Sequence, residues 1–127
     1  MQPNHSKAHF GLGNGLMMKG DLDLALAEYR KSAQLDPKFA FPYLNIANIQ
    51  MQTKNIPAAI ENFEKALSIN PSMPTVHLSL GMVYHQFQGN NEKTLGHLKE
   101  SLRLAPDQPR AESIRSLIQE LENKQPT

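Results

Sequence analysis

The stretch Leu35-Asp36-Pro37-Lys38-Phe39-Ala40-Phe41-Pro42-Tyr43-Leu44-Asn45-Ile46-Ala47 returns 34 residues later in altered form. It reads there Ile69-Asn70-Pro71-Ser72-Met73-Pro74-Thr75-Val76-His77-Leu78-Ser79-Leu80-Gly81. The spacing extends in both directions. Pro3, Pro37 and Pro71 are each 34 apart, and Pro106 follows at 35. Leu12 aligns with Ile46 and Leu80, Gly13 with Ala47 and Gly81, and Ala25 with Ala59. One extra residue is needed beyond Gln88. Tyr29 and Phe63 then meet Leu98, Ser32 and Ala66 meet Ser101, and Leu35 and Ile69 meet Leu104. The turn-rich stretch Gln88-Gly89-Asn90-Asn91 is the expected place for it, because insertion in a loop is cheap. A fixed period of this length is the signature of a repeat architecture.

Each unit reads as two helices. In the first, one runs from about Ser6 to Met18 and the other from about Asp21 to Leu35, broken by Lys19-Gly20-Asp21. Leu12, Gly13 and Leu16 share one stripe; Leu22, Ala25, Leu26, Tyr29 and Ala33 share another. In the second unit Asn55 is placed to cap a helix, with Pro57 tolerated in its first turn. Small residues recur where the paired helices would cross, Gly13 with Ala25 and Ala47 with Ala59. Tyr29 and Phe63 supply the bulk beside them. Proline then ends each second helix, since it cannot continue one.

Composition agrees. Leucine and alanine supply 27 of the 127 residues, valine two and threonine four, a helical balance rather than a sheet balance. Thirteen basic residues face twelve acidic ones, so no net field recruits nucleic acid or an anionic membrane. No apolar run approaches the length of a membrane span. The absence of cysteine removes disulfide scaffolds, thiolate metal sites and a cysteine nucleophile.

Period, size pattern and proline together resemble the tetratricopeptide repeat, over residues 6–108. That family marks eight positions per unit by size, and 20 of the 24 fit; His9, Gln50, His77 and Thr94 depart. The resemblance implies an all-α, right-handed superhelical solenoid of three helix-turn-helix repeats, 6–39, 40–73 and 74–108, plus a capping helix in 109–127. In that tail Ile114, Leu117, Ile118 and Leu121 form a packing stripe. Glu112, Arg115, Ser116, Gln119 and Glu122 form a polar back, as a terminal cap requires. Pro3 stands one period before Pro37, so residues 1–5 read as the remnant of a preceding repeat or a ragged N-terminus. The expectation is that the chain is the C-terminal part of a longer array.

No residue set reads as catalytic, metal-binding or cofactor-binding. His5 and His9 share a helix face without a third ligand. His9 and His77 occupy aligned packing positions, and His85 and His97 are read as standing alone. Ser32 and Ser101 replace small packing residues, with no base in a catalytic arrangement. Gly11, Gly13 and Gly15 follow no strand, so Gly13 is a packing glycine and not part of a phosphate loop. Some repeats of this family bind acidic chaperone tails through cations and asparagines on the first helices. The matching positions hold Phe10, Asn14, Asn45, Thr75 and Ser79: both asparagines are present and every cation is gone, which argues against that ligand.

The remaining stripe of each first helix is apolar. It reads Phe10, Leu44, Leu78; Lys7, Phe41, Thr75; Asn14, Asn48, Met82; Met17, Met51, His85. The family places this face in its concave groove. The expected site is therefore Phe10, Asn14, Met17, Phe41, Leu44, Asn45, Asn48, Met51, Leu78, Met82 and His85. It would take an apolar-leaning segment of a protein or peptide, its backbone bonded by asparagine and its side chains received by adaptable methionine. The alternatives are an architectural or oligomerisation array, and a substrate-recruiting arm of an enzyme encoded elsewhere. Self-association through the N-terminal repeat is expected, as is a cytoplasmic location with the periplasm left open.

Overall fold

Three left-handed residues at the ends of the first helices set the helical hairpins. They are Gly20 (φ +86°), Lys54 (φ +66°) and Gly89 (φ +58°). The computed structural model of the chain describes residues 3–124 and is all-helical among them. The helices are α1 (Pro3–Lys19), α2 (Leu22–Leu35), α3 (Phe41–Gln52), α4 (Ile56–Ile69), α5 (Pro74–Val83), α6 (Asn91–Leu104) and α7 (Ala111–Lys124). They fall into two units divided after Pro71. The first unit holds α1–α4 and the second α5–α7.

Each hairpin closes in the same way. The amides of Asp21, Asn55 and Asn90 donate back to the carbonyls of Leu16, Gln50 and Tyr84, at 2.9, 2.8 and 3.2 Å. Those acceptors are spaced by 34 both times, whereas the third donor comes one residue later. The extra residue of the third pair therefore precedes the turn. A π-helical turn, Tyr84–Gln88, absorbs it as a continuation of α5. This corrects its placement in the loop: widening one helical turn leaves the capping geometry intact, and such bulges are the usual form of a one-residue helix insertion. Asn90 caps α6 by accepting from the Lys93 amide at 3.1 Å. Asn55 holds the equivalent position of α4 but makes no side-chain cap bond. The helices α2, α4 and α6 each stop two residues before Pro37, Pro71 and Pro106. Pro3 differs, because it opens α1 instead of standing between helices. Asn4 and His5 of that expected remnant continue α1, and Met1 and Gln2 lie outside the described residues.

The small-against-large reading is realised in atoms. A Cβ on Gly13 would lie 2.6 Å from Cε1 of Tyr29, and one on Gly81 would lie 2.9 Å from Cδ2 of Leu98. Tyr29, Phe63 and Leu98 are fully buried. In the first unit Ala25, Tyr29, Ile46 and Ile49 form one core, with Leu22, Leu26, Leu16, Phe10 and Met17 packed on it. The interface between α2 and α3 thus joins the first two hairpins. In the second unit Ile114 and Leu121 of α7 are buried while Glu112, Arg115, Ser116, Gln119 and Glu122 are exposed, the division expected of the cap. Lys99 of α6 reaches Glu122 at 2.6 Å.

The four departures from the size pattern all find partners. His9 Nδ1 meets Glu28 Oε1 at 2.6 Å, Asn62 Nδ2 donates to Gln50 Oε1 at 2.8 Å, and His77 Nδ1 meets His97 Nδ1 at 3.0 Å. Thr94 donates to the Asn90 carbonyl at 2.9 Å. Glu28, Asn62 and His97 occupy one column of the repeat. A polar residue on the first helix is thus met by this column on the second, so packing is not loosened at the cost of an unpaired buried group. His97 does not stand alone, since it also stacks on Tyr84 with ring centroids 5.8 Å apart. The His9 contact holds the Glu28 carboxyl below its usual range.

Candidate functional site

In the first unit the expected face is carried by α1 and α3. None of its eight expected residues is fully buried, and Phe41 is 48% exposed. The structure divides them by role. Phe10 packs against Tyr29, Phe39 and Phe41, with ring centroids 5.6, 5.1 and 6.4 Å apart. Phe39 and Phe41 meet edge-on at 6.0 Å. Phe10 therefore roots an aromatic cluster in the core, and Phe41 is its exposed end. Phe39 was missed by the sequence reading; its signal was an aromatic two residues before Phe41, in the proline-containing linker.

The three asparagines are not equivalent. Asn14 Oδ1 accepts from the Tyr29 hydroxyl at 2.5 Å and from Asn45 Nδ2 at 3.0 Å. This triad ties α1, α2 and α3 together. Burial pushes the Tyr29 phenol above its ordinary pKa, so the hydroxyl stays a donor to Asn14. The Asn14 oxygen is thus occupied internally, and Asn45 serves to hold it. Asn48, on the next turn of α3, is half-buried, and its carboxamide makes no hydrogen bond among the described residues. It keeps a donor and an acceptor for a ligand, beside the half-buried Leu44 and Met51. Met17 is held inward by a contact from the Tyr29 hydroxyl to its sulfur at 3.6 Å.

In the second unit Leu78 and Met82 of α5 line a cavity of about 80 Å³ together with Arg110, Ser113, Ile114 and Leu117. The cap thus contributes to this surface as well as covering the core. The sequence reading assigned Leu117 to packing and did not consider Arg110. His85 sits half-exposed on the π-helical turn.

Ser6, Ser32 and Ser101 engage in packing bonds. Ser6 donates to the Ser32 carbonyl at 2.9 Å, and Ser101 to the Pro74 carbonyl at 2.9 Å. Among the described residues no group of three or more His, Asp or Glu side chains is arranged to hold a metal ion. No described helix is long and apolar enough to cross a membrane.

Hairpins of fixed period, packed through a glycine-or-alanine crossing and carrying a half-exposed apolar face, define a helical-repeat protein-interaction module. The chain belongs to the tetratricopeptide-repeat family: residues 6–39 match the family described as "Tetratricopeptide repeat" and residues 47–86 that described as "TPR repeat". It is 28% identical over 108 residues to the Protein CTR9 homolog of Arabidopsis thaliana, covering 82% of this chain and 10% of that protein. It is 30% identical over 95 residues to the small glutamine-rich tetratricopeptide repeat-containing protein 2 of Saccharomyces cerevisiae, covering 75% of this chain and 27% of that protein. The chain thus spans a tenth to about a quarter of the length of these relatives. Its fold matches the first TPR of Spaghetti (RPAP3) bound to the HSP90 peptide SRMEEVD. The TM-score there is 0.81 at 19% identity, over 94% of this chain and 92% of that one.

Proposed function

We propose that the chain binds an extended, apolar-leaning segment of a protein partner, with Asn48 bonding the ligand backbone and Phe41, Leu44 and Met51 receiving its side chains. The observation that carries this reading is Asn48 itself, a half-buried carboxamide without a hydrogen bond, one turn from the half-buried Leu44 and two turns from Phe41, which is 48% exposed. A half-buried amide without a partner is favourable only where a ligand or water completes it. Leu78, Met82 and His85 are proposed as a second contact set, now joined by Arg110 and Leu117. A family relative by fold holds a peptide, as the structure with the HSP90 peptide records; the lost cations argue for a different ligand here. The reading assigns no catalysis, cofactor, nucleic acid or membrane insertion to these residues. It includes a cytoplasmic location and, separately, association of two copies through the N-terminal hairpin.

The test is capture of a partner with the intact chain, peptide mapping of what binds, and titration of the mapped peptide. Asn48→Ala should weaken binding by about 1–3 kcal/mol while leaving the melting temperature in place. Phe41→Ala should cost at least as much affinity, through lost aromatic burial. Asn45→Ala should instead lower stability by about 1 kcal/mol, because it cuts the triad. Salt should have little effect, as no cationic clamp is present. Unchanged affinity for Asn48→Ala and Phe41→Ala, with loss on the convex substitution Glu61→Ala, sinks the proposal.

A further inference from the structure

The lysines and arginines of the second unit are almost all engaged. Lys99 pairs with Glu122, Arg103 with Glu100, Arg115 with Glu112 and Lys124 with Glu120. Lys93 lies over the Tyr84 ring, 4.9 Å from its centroid. Among the described residues of this unit Arg110 alone has no such partner. It is exposed, and it lines the cavity between α5 and α7. By the 35-residue step of the third unit, Arg110, Ser113 and Leu117 stand in the columns of Thr75, Leu78 and Met82. Those are in turn the columns of Phe41, Leu44 and Asn48, so the cavity belongs to the ligand-facing stripe.

The walls of this cavity are apolar, with Leu78 and Met82 on one side and Ile114 and Leu117 on the other. Helix α5 carries no Asp, Glu, Lys or Arg. A cavity of about 150 Å³ takes benzene. This one, at about 80 Å³, suits a branched aliphatic side chain and is too small for an aromatic one. Arg110 adds a planar fork of donors at its edge, and such a fork is complementary to a carboxylate. In an extended segment, residues two apart look the same way. An aliphatic residue in the cavity therefore brings the residue two positions away towards Arg110. The cations of chaperone-tail repeats would fall elsewhere, at the positions of Phe10, Thr75 and Ser79.

We propose that this cavity takes a branched aliphatic side chain of the partner segment while Arg110 pairs with an Asp or Glu side chain two residues away in it. The inference rests on the proposed groove binding and adds the ligand chemistry of the second unit. The test is selection of a random heptapeptide library, fused at both ends so that no free carboxyl terminus is present. It is run on the intact chain, on Arg110→Gln and Arg110→Glu, and on Lys124→Gln as a control cation; both positions are exposed. The wild type should enrich Val, Leu or Ile two positions from Asp or Glu. Arg110→Gln should keep the aliphatic residue and lose the acid, Arg110→Glu should exchange the acid for Lys or Arg, and Lys124→Gln should select as the wild type does. A selected peptide, synthesised with an amide end, should bind Arg110→Gln about two- to fivefold more weakly, the effect of one exposed ion pair. Acid enrichment that survives Arg110→Gln, or is lost equally in Lys124→Gln, overturns the role of Arg110. Acidic peptides recovered only from a parallel library with free carboxyl termini overturn the side-chain assignment. Peptides that lack the pattern but lose affinity for Asn48→Ala overturn this inference and leave the groove reading in place. A library from which the wild type enriches nothing overturns both.

Discussion

Substituting Gly13 with alanine should destabilise the protein, although alanine is the better helix former. The added Cβ would sit 2.6 and 2.7 Å from two carbons of the Tyr29 ring. That ring cannot swing away freely: it is fully buried, and its hydroxyl is bonded to Asn14. Overpacking of this kind costs about 1–3 kcal/mol. Disturbing the hydroxyl bond adds about 1 kcal/mol, and the better helix propensity returns about 1 kcal/mol. The net expectation is a loss of about 1–3 kcal/mol, seen as a melting temperature lower by roughly 3–10 °C. Gly81→Ala should cost less, because its nearest neighbour is the flexible end of Leu98 at 2.9 Å. Gly96→Ala, at an exposed position of α6 where a Cβ would meet nothing within 4 Å, should stabilise by about 0.5–1 kcal/mol. Thermal and urea melts by circular dichroism, at low protein concentration, rank the three. Gly13→Ala as stable as wild type, or no worse than Gly96→Ala, refutes the claim that the glycine exists for the tyrosine.

Two further outcomes are expected. Deleting residues 109–127 removes α7 with its buried Ile114 and Leu121 and bares the surface of the second unit that they cover; the melt should fall and light scattering should show aggregation, whereas an unchanged melt from a clean monomer would show that α7 is no cap. Glu28 has a pKa lowered below 4.5 by its bond to His9, so its contribution is present above pH 4.5 and is lost as pH falls through the folded-state value. The stability gap between wild type and Glu28→Gln should therefore narrow in acid, and a gap that widens there contradicts the pairing.

The helices were legible because their signals are local. Proline at a 34-residue step, glycine near the hairpin turns and stripes at helical spacing each act within a few residues. The crossing glycines were legible too, since Gly13 and Gly81 recur at one column with a large residue in another. The polar partners were not. His9, Gln50 and His77 were visible as departures, yet nothing in their neighbourhood pointed to Glu28, Asn62 and His97, which lie 19, 12 and 20 residues away. Their shared column was the available signal.

The site was legible as a face and not as a set of roles. Position on a helix fixes which residues look the same way, and by that rule Asn14, Asn45 and Asn48 are alike. Only packing made Asn14 an acceptor for Tyr29 and Asn45 and left Asn48 without a bond. The same holds for the extra residue of the third hairpin. Sequence counted it, and the requirement that Asn90 reach the Tyr84 carbonyl moved it from the loop into a π-helical turn. Repeat length, helix boundaries and facing stripes follow from backbone periodicity and the missing amide of proline, which the chain carries residue by residue. Which polar group meets which, and which is left for a partner, depends on where two helices cross in space, and that distance is set by the side chains packed between them.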